Sequence, residues 1–373
     1  MSEPVRSELA ITAQALKASG GAERYTRDVI AGLHRQGIRP ILFAREIDTS
    51  LEEAAWIDPQ PLNVRWAPRK LRNLAFNWRL KRRLRDARPR CVFAINHSPY
   101  ADIALCGGTH PGSLEATGRR AGIGDRLQFA LERRTYTNAR RIVAHSELMK
   151  RELIRYYEID ANKIDVIYPP VDADRFRPLD VDARAAARRH FNLPDDRIVF
   201  AFSSTSHARK GYGLIEKFFT QTKLPVCVVI AGRPVAQTSD TIRYAGYCRD
   251  IGLLFAAADF TLIPSIYEPF GLVGVESVLC GTPVVVASNV GSAETIGAEA
   301  KIEFSRDDAD GFAHAIHAAI ARVQTGKARL STPRQHLVYD PDVDAHVAAL
   351  INLCRSGEAN QVQISGPQCD NGV

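Results

Sequence analysis

Between Gly246 and Thr295 the chain reads as one strand–loop–helix–strand unit. Asp259–Ser265 is a short apolar run that closes on Pro264-Ser265, as a buried parallel strand does. Ile266–Leu272 is a loop and Val273–Cys280 carries a helical pattern. Gly281 stops that pattern, and Thr282–Ala287 is the next strand. The loop then lies at the carboxyl end of a strand, where open α/β sheets bind ligands. Gly271 permits close backbone approach, and the helix N-terminus behind it presents free N–H groups to an anion. Two carboxylates fall in the unit: Glu268 in the loop, and Glu276 eight positions later in the helix. Both carboxylates can accept hydrogen bonds from the hydroxyls of a ligand at that loop. The pair alone equally fits a solvated loop glutamate and a helix glutamate near the favourable end of its dipole.

Composition bounds the rest. A chain of 373 residues suggests two domains of ordinary size. With 45% hydrophobic and 24% charged residues it reads as a globular protein. A net charge of +7 points to an acidic partner. No apolar run reaches the ~18 residues of a membrane helix, and the opening MSEPVRSELA has no signal-peptide core. The seven cysteines are scattered without a Cys-x-x-Cys pair, so reduced thiols in a cytoplasmic protein are expected. No clustered His/Cys zinc signature occurs, and no metal site is expected.

In chain order, Leu9–Thr12 is the first strand and Ala13–Ser19 a loop. Gly20-Gly21 then opens the helical pattern Ala22–His34, which fits either an anion nest or a plain turn. Pro40–Ala44 is the second strand. Residues 65–90 carry nine arginines and two lysines against the single acid Asp86. Phe76, Leu80, Leu84 and Ala87 recur there at helical spacing, so one face is expected to be buried. The remainder is either a solvated face or a surface for anionic lipid, with Trp66, Phe76 and Trp78 at the interface. Nucleic acid is disfavoured, because no nucleic-acid module accompanies the run.

Cys91–Ile95 and Asp102–Cys106 are strands, and His97 and His110 follow their ends, facing the presumed cleft from loops. Gly124–Arg134 reads as a basic amphipathic helix. Arg141–Ala144 is a strand, Ser146 caps the next helix, and Lys163–Tyr168 closes the domain. Pro169–Pro178 is a linker stiffened by two prolines, from which Arg175 is in range of the cleft. Arg197–Phe202 opens the second domain. The Ser- and Gly-rich loop Ser203–Gly211 suits a phosphate contact, with Arg209 and Lys210 as cations. Cations at a helix start oppose the dipole unless an anion offsets them. Pro225–Gly232, Thr241–Gly246 and 301–305 are further strands, Asp250 is a helix cap, and 311–325 and Asp340–Leu353 are helices.

The ordered set Gly246, Asp250, Ala258-Asp259, Pro264-Ser265, Glu268–Leu272, Glu276, Gly281–Val284, Gly291 and Glu294 resembles the retaining GT-B enzymes of glycosyltransferase family 4, whose signature is Glu-x7-Glu. The resemblance is dense over some fifty residues and weaker over most of the rest. It implies an α/β GT-B fold, two Rossmann-like domains facing across a cleft. The acceptor-side domain is expected over 1–168, joined by a returning helix 340–356. The nucleotide-sugar domain is expected over 169–339, and 357–373 as a disordered tail. Glu268 would orient the donor sugar, and Glu276 would bind the ribose. Phe270, Gly271 and Leu272 would offer backbone N–H groups to the phosphates. Lys210 and Arg209 would offset the leaving diphosphate, although Thr205 stands where the family usually has an arginine. Tyr247 falls where the backbone holds the nucleotide base, Gly21 would approach the donor, and His110 would contact the donor sugar or the acceptor.

The implied reaction is metal-independent hexosyl transfer with retention, from a nucleotide-diphosphate sugar, UDP-linked, to a hydroxyl of a glycan or glycolipid. The chain resembles the bacterial transferases that build lipopolysaccharide core or other cell-surface glycans, so a cytoplasmic protein at the inner face of the cell membrane is expected. Two alternatives share the fold: an inactive protein that only binds glycan or membrane, and a sugar-nucleotide epimerase.

Overall fold

The structure, a computed structural model, describes residues 9–18 and 20–362, together with their side chains other than those of Lys70 and 356–362. Two parallel sheets dominate. The first has seven strands in the order Asp58–Pro61, Ile41–Ala44, Leu9–Thr12, Cys91–Ala94, Ile103–Cys106, Arg141–Ala144 and Ile164–Val166. The second has six, in the order Ile242–Gly246, Val226–Gly232, Ile198–Ser204, Phe260–Ile263, Val284–Ala287 and Lys301–Phe304. Central strands such as Ile41–Ala44, Cys91–Ala94 and Val284–Ala287 are buried at every residue. That follows from their unbroken apolar sequence, which helices cover on both faces. The strand that the pattern hid is Asp58–Pro61, Asp-Pro-Gln-Pro, on the edge of the first sheet. Proline lacks an N–H, so an edge is where such a strand is tolerated.

In each sheet the strand order reverses once. The reversal lies between Leu9–Thr12 and Cys91–Ala94 in the first, and between Ile198–Ser204 and Phe260–Ile263 in the second. Ligands of open α/β sheets sit outside the carboxyl ends of the strands at such points. Thr12 and Asn96 join the first pair by a buried 2.6 Å hydrogen bond.

The returning helix Val343–Val362 packs on the first helix, Gly21–Arg35. Gly32 makes that approach possible, since a Cβ there would lie 2.6 Å from Val347 Cγ2. Tyr25 Oη bonds His346 Nε2 at 2.8 Å, and His346 Nδ1 bonds the Tyr168 carbonyl at 2.9 Å. The Val171 N–H donates to Pro341 O at 2.8 Å, so the linker prolines are covered by the returning segment.

Several expectations are corrected. Phe76 lies in the core at 1% exposure, because helical spacing puts it on the face shared with Leu80, and it is not at any interface. Ser203–Gly211 is not all loop: the strand runs to Ser204, and His207–Lys210 is a helical turn. Asp250 holds the cap position without a side-chain cap bond. His110 opens the helix His110–Ala116, capped by Thr109, rather than sitting in a loop. Ala15–Leu16, within the expected loop Ala13–Ser19, is a short strand. The returning helix passes 356 to Val362, and the remainder of the expected tail lies outside the described residues.

Candidate active site

Glu268 lies at the carboxyl end of Phe260–Ile263, in the loop that leads to the helix Leu272–Leu279. One oxygen of its carboxylate takes three donors: Lys210 Nζ at 2.6 Å, Arg209 Nη1 at 3.0 Å and Ser265 Oγ at 3.3 Å. The two cations come from the adjacent strand, Ile198–Ser204, by way of the turn His207–Lys210. Gly211 fixes that turn at φ 77°, in a place where a Cβ would strike the Pro264 carbonyl. Arg209 Nη1 also reaches the Tyr267 carbonyl at 3.2 Å. Two cations meet one carboxylate, so the cluster keeps a positive charge for an anion.

Glu276 sits in the helix Leu272–Leu279 and is 4% exposed. Its partner comes from the other domain: Arg24 Nη1 bonds its Oε1 at 2.5 Å. Arg24 lies in the first turns of Gly21–Arg35, over the Phe176 ring and 3.8 Å from Asp28. Its Nη2 is buried without a hydrogen-bond partner. Burial raises the Asp28 carboxyl to about 6, with Arg24 working against that rise. Sequence reasoning singled out Gly21 and passed over Arg24, three positions on in the run Gly20-Gly21-Ala22-Glu23-Arg24.

On the first-domain face, His110 Nε2 pairs with Asp125 Oδ1 at 2.7 Å, and its backbone N–H donates to Glu132 Oε2 at 3.0 Å. Asp125 also takes the Gly122 N–H and Arg119, and these contacts hold it down to about 2. Glu132 is buried and bonds Tyr157, Gln128 Nε2 at 2.8 Å and His97 Nε2 at 3.3 Å. Burial lowers the His97 pKa. The domains touch through the Glu268 loop itself. Tyr267 Oη takes the Thr109 N–H at 3.2 Å and bonds buried Glu152 at 2.8 Å. Ser146 Oγ donates to Pro269 O at 2.7 Å, and the Glu147 N–H donates to Glu294 at 2.6 Å. Tyr267, Asp125 and Glu132 carried no motif and were not singled out from sequence.

The other predicted residues disperse. Gly21 is the first residue of its helix, and a Cβ there would meet nothing within 4 Å, so its backbone faces open space. Leu272 begins the donor-side helix, with Gly271 at its cap. The Phe270 ring is buried between Tyr168 and Tyr339, on the hinge side. Tyr247 is 80% exposed, and Arg175 bonds the Arg249 carbonyl at 3.3 Å. The structure thus brings Lys210, Arg209 and Glu268 into direct contact. Glu276 shares a helix with Leu272, while Tyr247 stands apart on the surface.

Residues 19–175 match the family model of Glycosyltransferase Family 4, and residues 196–322 match Glycosyl transferases group 1. Over 356 residues the chain is 44% identical to a probable transglycosylase of Burkholderia thailandensis, covering 95% of this chain and 98% of that protein. The chain belongs to the family 4 glycosyltransferases. A D-inositol 3-phosphate glycosyltransferase of Mycolicibacterium smegmatis is 33% identical over 184 residues, 43% of this chain and 41% of that one. Two solved structures share the GT-B fold of this glycosyltransferase. WaaG, a glycosyltransferase involved in lipopolysaccharide biosynthesis, superposes with a TM-score of 0.74 at 15% identity, over 96% of this chain and all (100%) of that one. Anabaena HepE in complex with UDP and glucose gives 0.71 at 19% identity, over 93% and 99%.

Proposed function

We propose that this glycosyltransferase moves a hexosyl group, with retention and without a metal, from a nucleotide-diphosphate sugar to a hydroxyl of a glycan or glycolipid acceptor. The carrying observation is the contact of Lys210 and Arg209 with Glu268 at the second sheet's reversal point. Glu268 and the two cations form one hydrogen-bonded cluster, which supports a donor whose sugar and diphosphate both reach it. As the bond from the anomeric carbon to the phosphate oxygen breaks, Lys210, Arg209 and the N-terminus of Leu272–Leu279 offset the charge on the diphosphate. The acceptor oxygen forms the new bond on the same face, and its proton passes to the departing phosphate oxygen. Glu276 holds the ribose. The UDP and glucose bound by HepE support a UDP-sugar, and WaaG supports a role in lipopolysaccharide or cell-surface polysaccharide synthesis.

The test is donor binding and hydrolysis across UDP-, GDP-, ADP- and TDP-sugars, with and without EDTA, for wild type and Glu276→Ala. One tight donor, weakened by the substitution and indifferent to EDTA, is expected. Binding to none of them would remove the transferase reading. The Burkholderia relative's name, probable transglycosylase, favours a second reading in which the sugar comes from another glycan. Sugar transfer between oligosaccharides in the absence of nucleotide would establish it.

Docking on an anionic bilayer, at the inner membrane face, belongs to the same reading. Leu71, Leu74 and Trp78 are exposed on and beside the helix Arg72–Ala87, and Ile123 and Leu127 on the helix Ile123–Asn138. Asn73 and Gln128 tie the two helices at 3.3 Å. Arg82 lies over the Trp78 ring, and the flanking charge is basic. Among the described residues no helix is long and apolar enough to cross a membrane. Flotation with phosphatidylglycerol vesicles is expected to drop several-fold in Leu74→Ser/Trp78→Ser. Equal flotation of both proteins, or none for wild type, would remove the docking claim.

A further inference from the structure

A polar side-chain cluster lies on the first domain, between the helices Arg72–Ala87 and Ile123–Asn138 and near the carboxyl ends of the strands. A hydrogen-bonded chain crosses it. Arg45, just past the strand Ile41–Ala44, donates to Asn73 Oδ1. Asn73 bonds Gln128, Gln128 bonds Glu132, and Glu132 takes His97 and the His110 N–H. The cluster therefore runs from Arg45 to His110, the residue after Thr109, whose N–H bonds Tyr267.

Three polar atoms along this path are buried without a hydrogen-bond partner: Arg45 Nε, Asn77 Oδ1 and His97 Nδ1. Asn77 itself is buried, its amide nitrogen already spent on the Asn73 and His97 carbonyls. Orphaned buried donors and acceptors are costly, and a cluster of them at a cleft marks a place a ligand completes. Their charge indicates what kind of ligand. Arg45 is half-buried, and burial together with nearby Arg72 holds its pKa below the usual guanidinium value. Among the described residues no carboxylate pairs with either arginine, whose side chains bond Asn73 and the Ala67 carbonyl. Two guanidiniums near enough to repel one another, with no acid partner, suit a planar or tetrahedral oxyanion.

We propose that this cluster binds the acceptor, and that the acceptor is an anionic sugar whose phosphate or carboxylate binds Arg45 and Arg72 while its hydroxyls bond Asn77 and His97. The inference rests on the transferase reading and adds the acceptor's chemical class. The anion is carried by a soluble sugar or by a glycolipid headgroup, and the probes below separate those sources.

The experiment is calorimetric titration of the full chain with glucose 6-phosphate, glucuronate and glucose, the donor side saturated with the nucleoside diphosphate selected by the donor panel. A second arm uses phosphatidylcholine vesicles with and without phosphatidylinositol 4-phosphate. An anionic probe is expected to bind about tenfold tighter than its neutral counterpart, the worth of one charge-assisted hydrogen bond. That preference should vanish in Arg45→Met and persist in Arg133→Met, a surface arginine paired with Glu158. A preference for the soluble probes assigns the anion to the sugar, and one confined to vesicles assigns it to a headgroup. No preference in either arm, or one that survives Arg45→Met, would overturn the proposal. If Arg45→Met does not fold, Arg72→Met carries the same test. The nucleoside diphosphate must still bind Arg45→Met as it binds wild type. Its failure to bind wild type would instead strike the donor reading.

Discussion

On the donor-side face, Lys210, Arg209 and Glu268 converge from two adjacent strands, and their charges meet directly. On the opposite face, His97 and His110 are held by Glu132 and Asp125, both from the one helix Ile123–Asn138. The donor face is a cationic cluster with a single carboxylate to orient it. The opposite face is a set of imidazoles and amides braced by buried Glu132 and half-buried Asp125. Under the proposed reaction a diphosphate needs charge and a hydroxyl needs placement, which would sort the two faces by the demands of the two substrates. If the sorting is right, substitutions on the donor face act on turnover, and substitutions between the faces act on donor seating and stability.

The largest effect belongs to Lys210→Met. Removing a cation aimed at developing negative charge costs about 10²–10³ in kcat. Glu268 would lose its 2.6 Å partner, yet Arg209 keeps it paired, so the fold should tolerate the change. Steady-state kinetics with the donor chosen by the panel measures it. A loss below tenfold would mean that the cations serve Glu268 rather than the leaving group, and the two faces would no longer differ in kind.

Arg24→Met tests the contact that joins the faces. It leaves Glu276 buried without its cation, and breaking one side of a buried pair costs about 3 kcal/mol. Thermal unfolding of ligand-free protein should show that loss, and saturating nucleoside diphosphate should recover part of it through the ribose hydroxyls. The double variant Arg24→Met/Glu276→Gln should regain stability but not nucleotide affinity. Unchanged stability in Arg24→Met would show that the pair is not formed in solution. Unchanged affinity in the double variant would remove Glu276 from the ribose.

These two predictions differ in how they were reached. Lys210, Glu268 and Glu276 stood in short local motifs, and local motifs place a residue on its own strand or helix end. The strand run Asp259–Ser265 and the helix after it were legible for the same reason: each apolar period is contiguous, and the structure keeps both within a residue or two. What was hidden depends on contacts far apart in sequence. Arg24 meets Glu276 across 252 positions, and Tyr267 meets Glu152 across 115. Asp125 and Glu132 look like ordinary charges of an amphipathic helix until His110 and His97 are placed beside them. The edge strand Asp58–Pro61 was hidden differently, since it is polar and proline-bearing and only its neighbour makes it a strand.

The smallest expected effect is a pH dependence that separates the hinge from the donor face. His346 is buried, accepts from Tyr25 Oη at Nε2, and donates from Nδ1 to the Tyr168 carbonyl, an arrangement that needs the neutral ring. Burial depresses its pKa from an ordinary 6.5 to about 4, and His145, close enough to repel it, is depressed to about 3. A folded pKa below the unfolded one means that the unfolded chain binds more protons between pH 6.5 and 4, so stability falls as pH falls through that window. Asp28 opposes this. Its carboxyl is raised to about 6, so the folded chain binds the extra proton between 6 and 4, and stability rises there as pH falls. Two variants separate the opposing slopes. His346→Gln should remove about 2 kcal/mol of the acid loss by pH 4.5, a figure set by the pKa difference. Asp28→Asn should steepen the loss instead. Denaturant melts at pH 7.5 and 4.5 measure both, and equal slopes in wild type and His346→Gln would place the acid sensitivity away from the hinge. Since His346 ties the returning helix to the linker at Tyr168, donor affinity should follow the same window, while Lys210→Met should leave it unmoved.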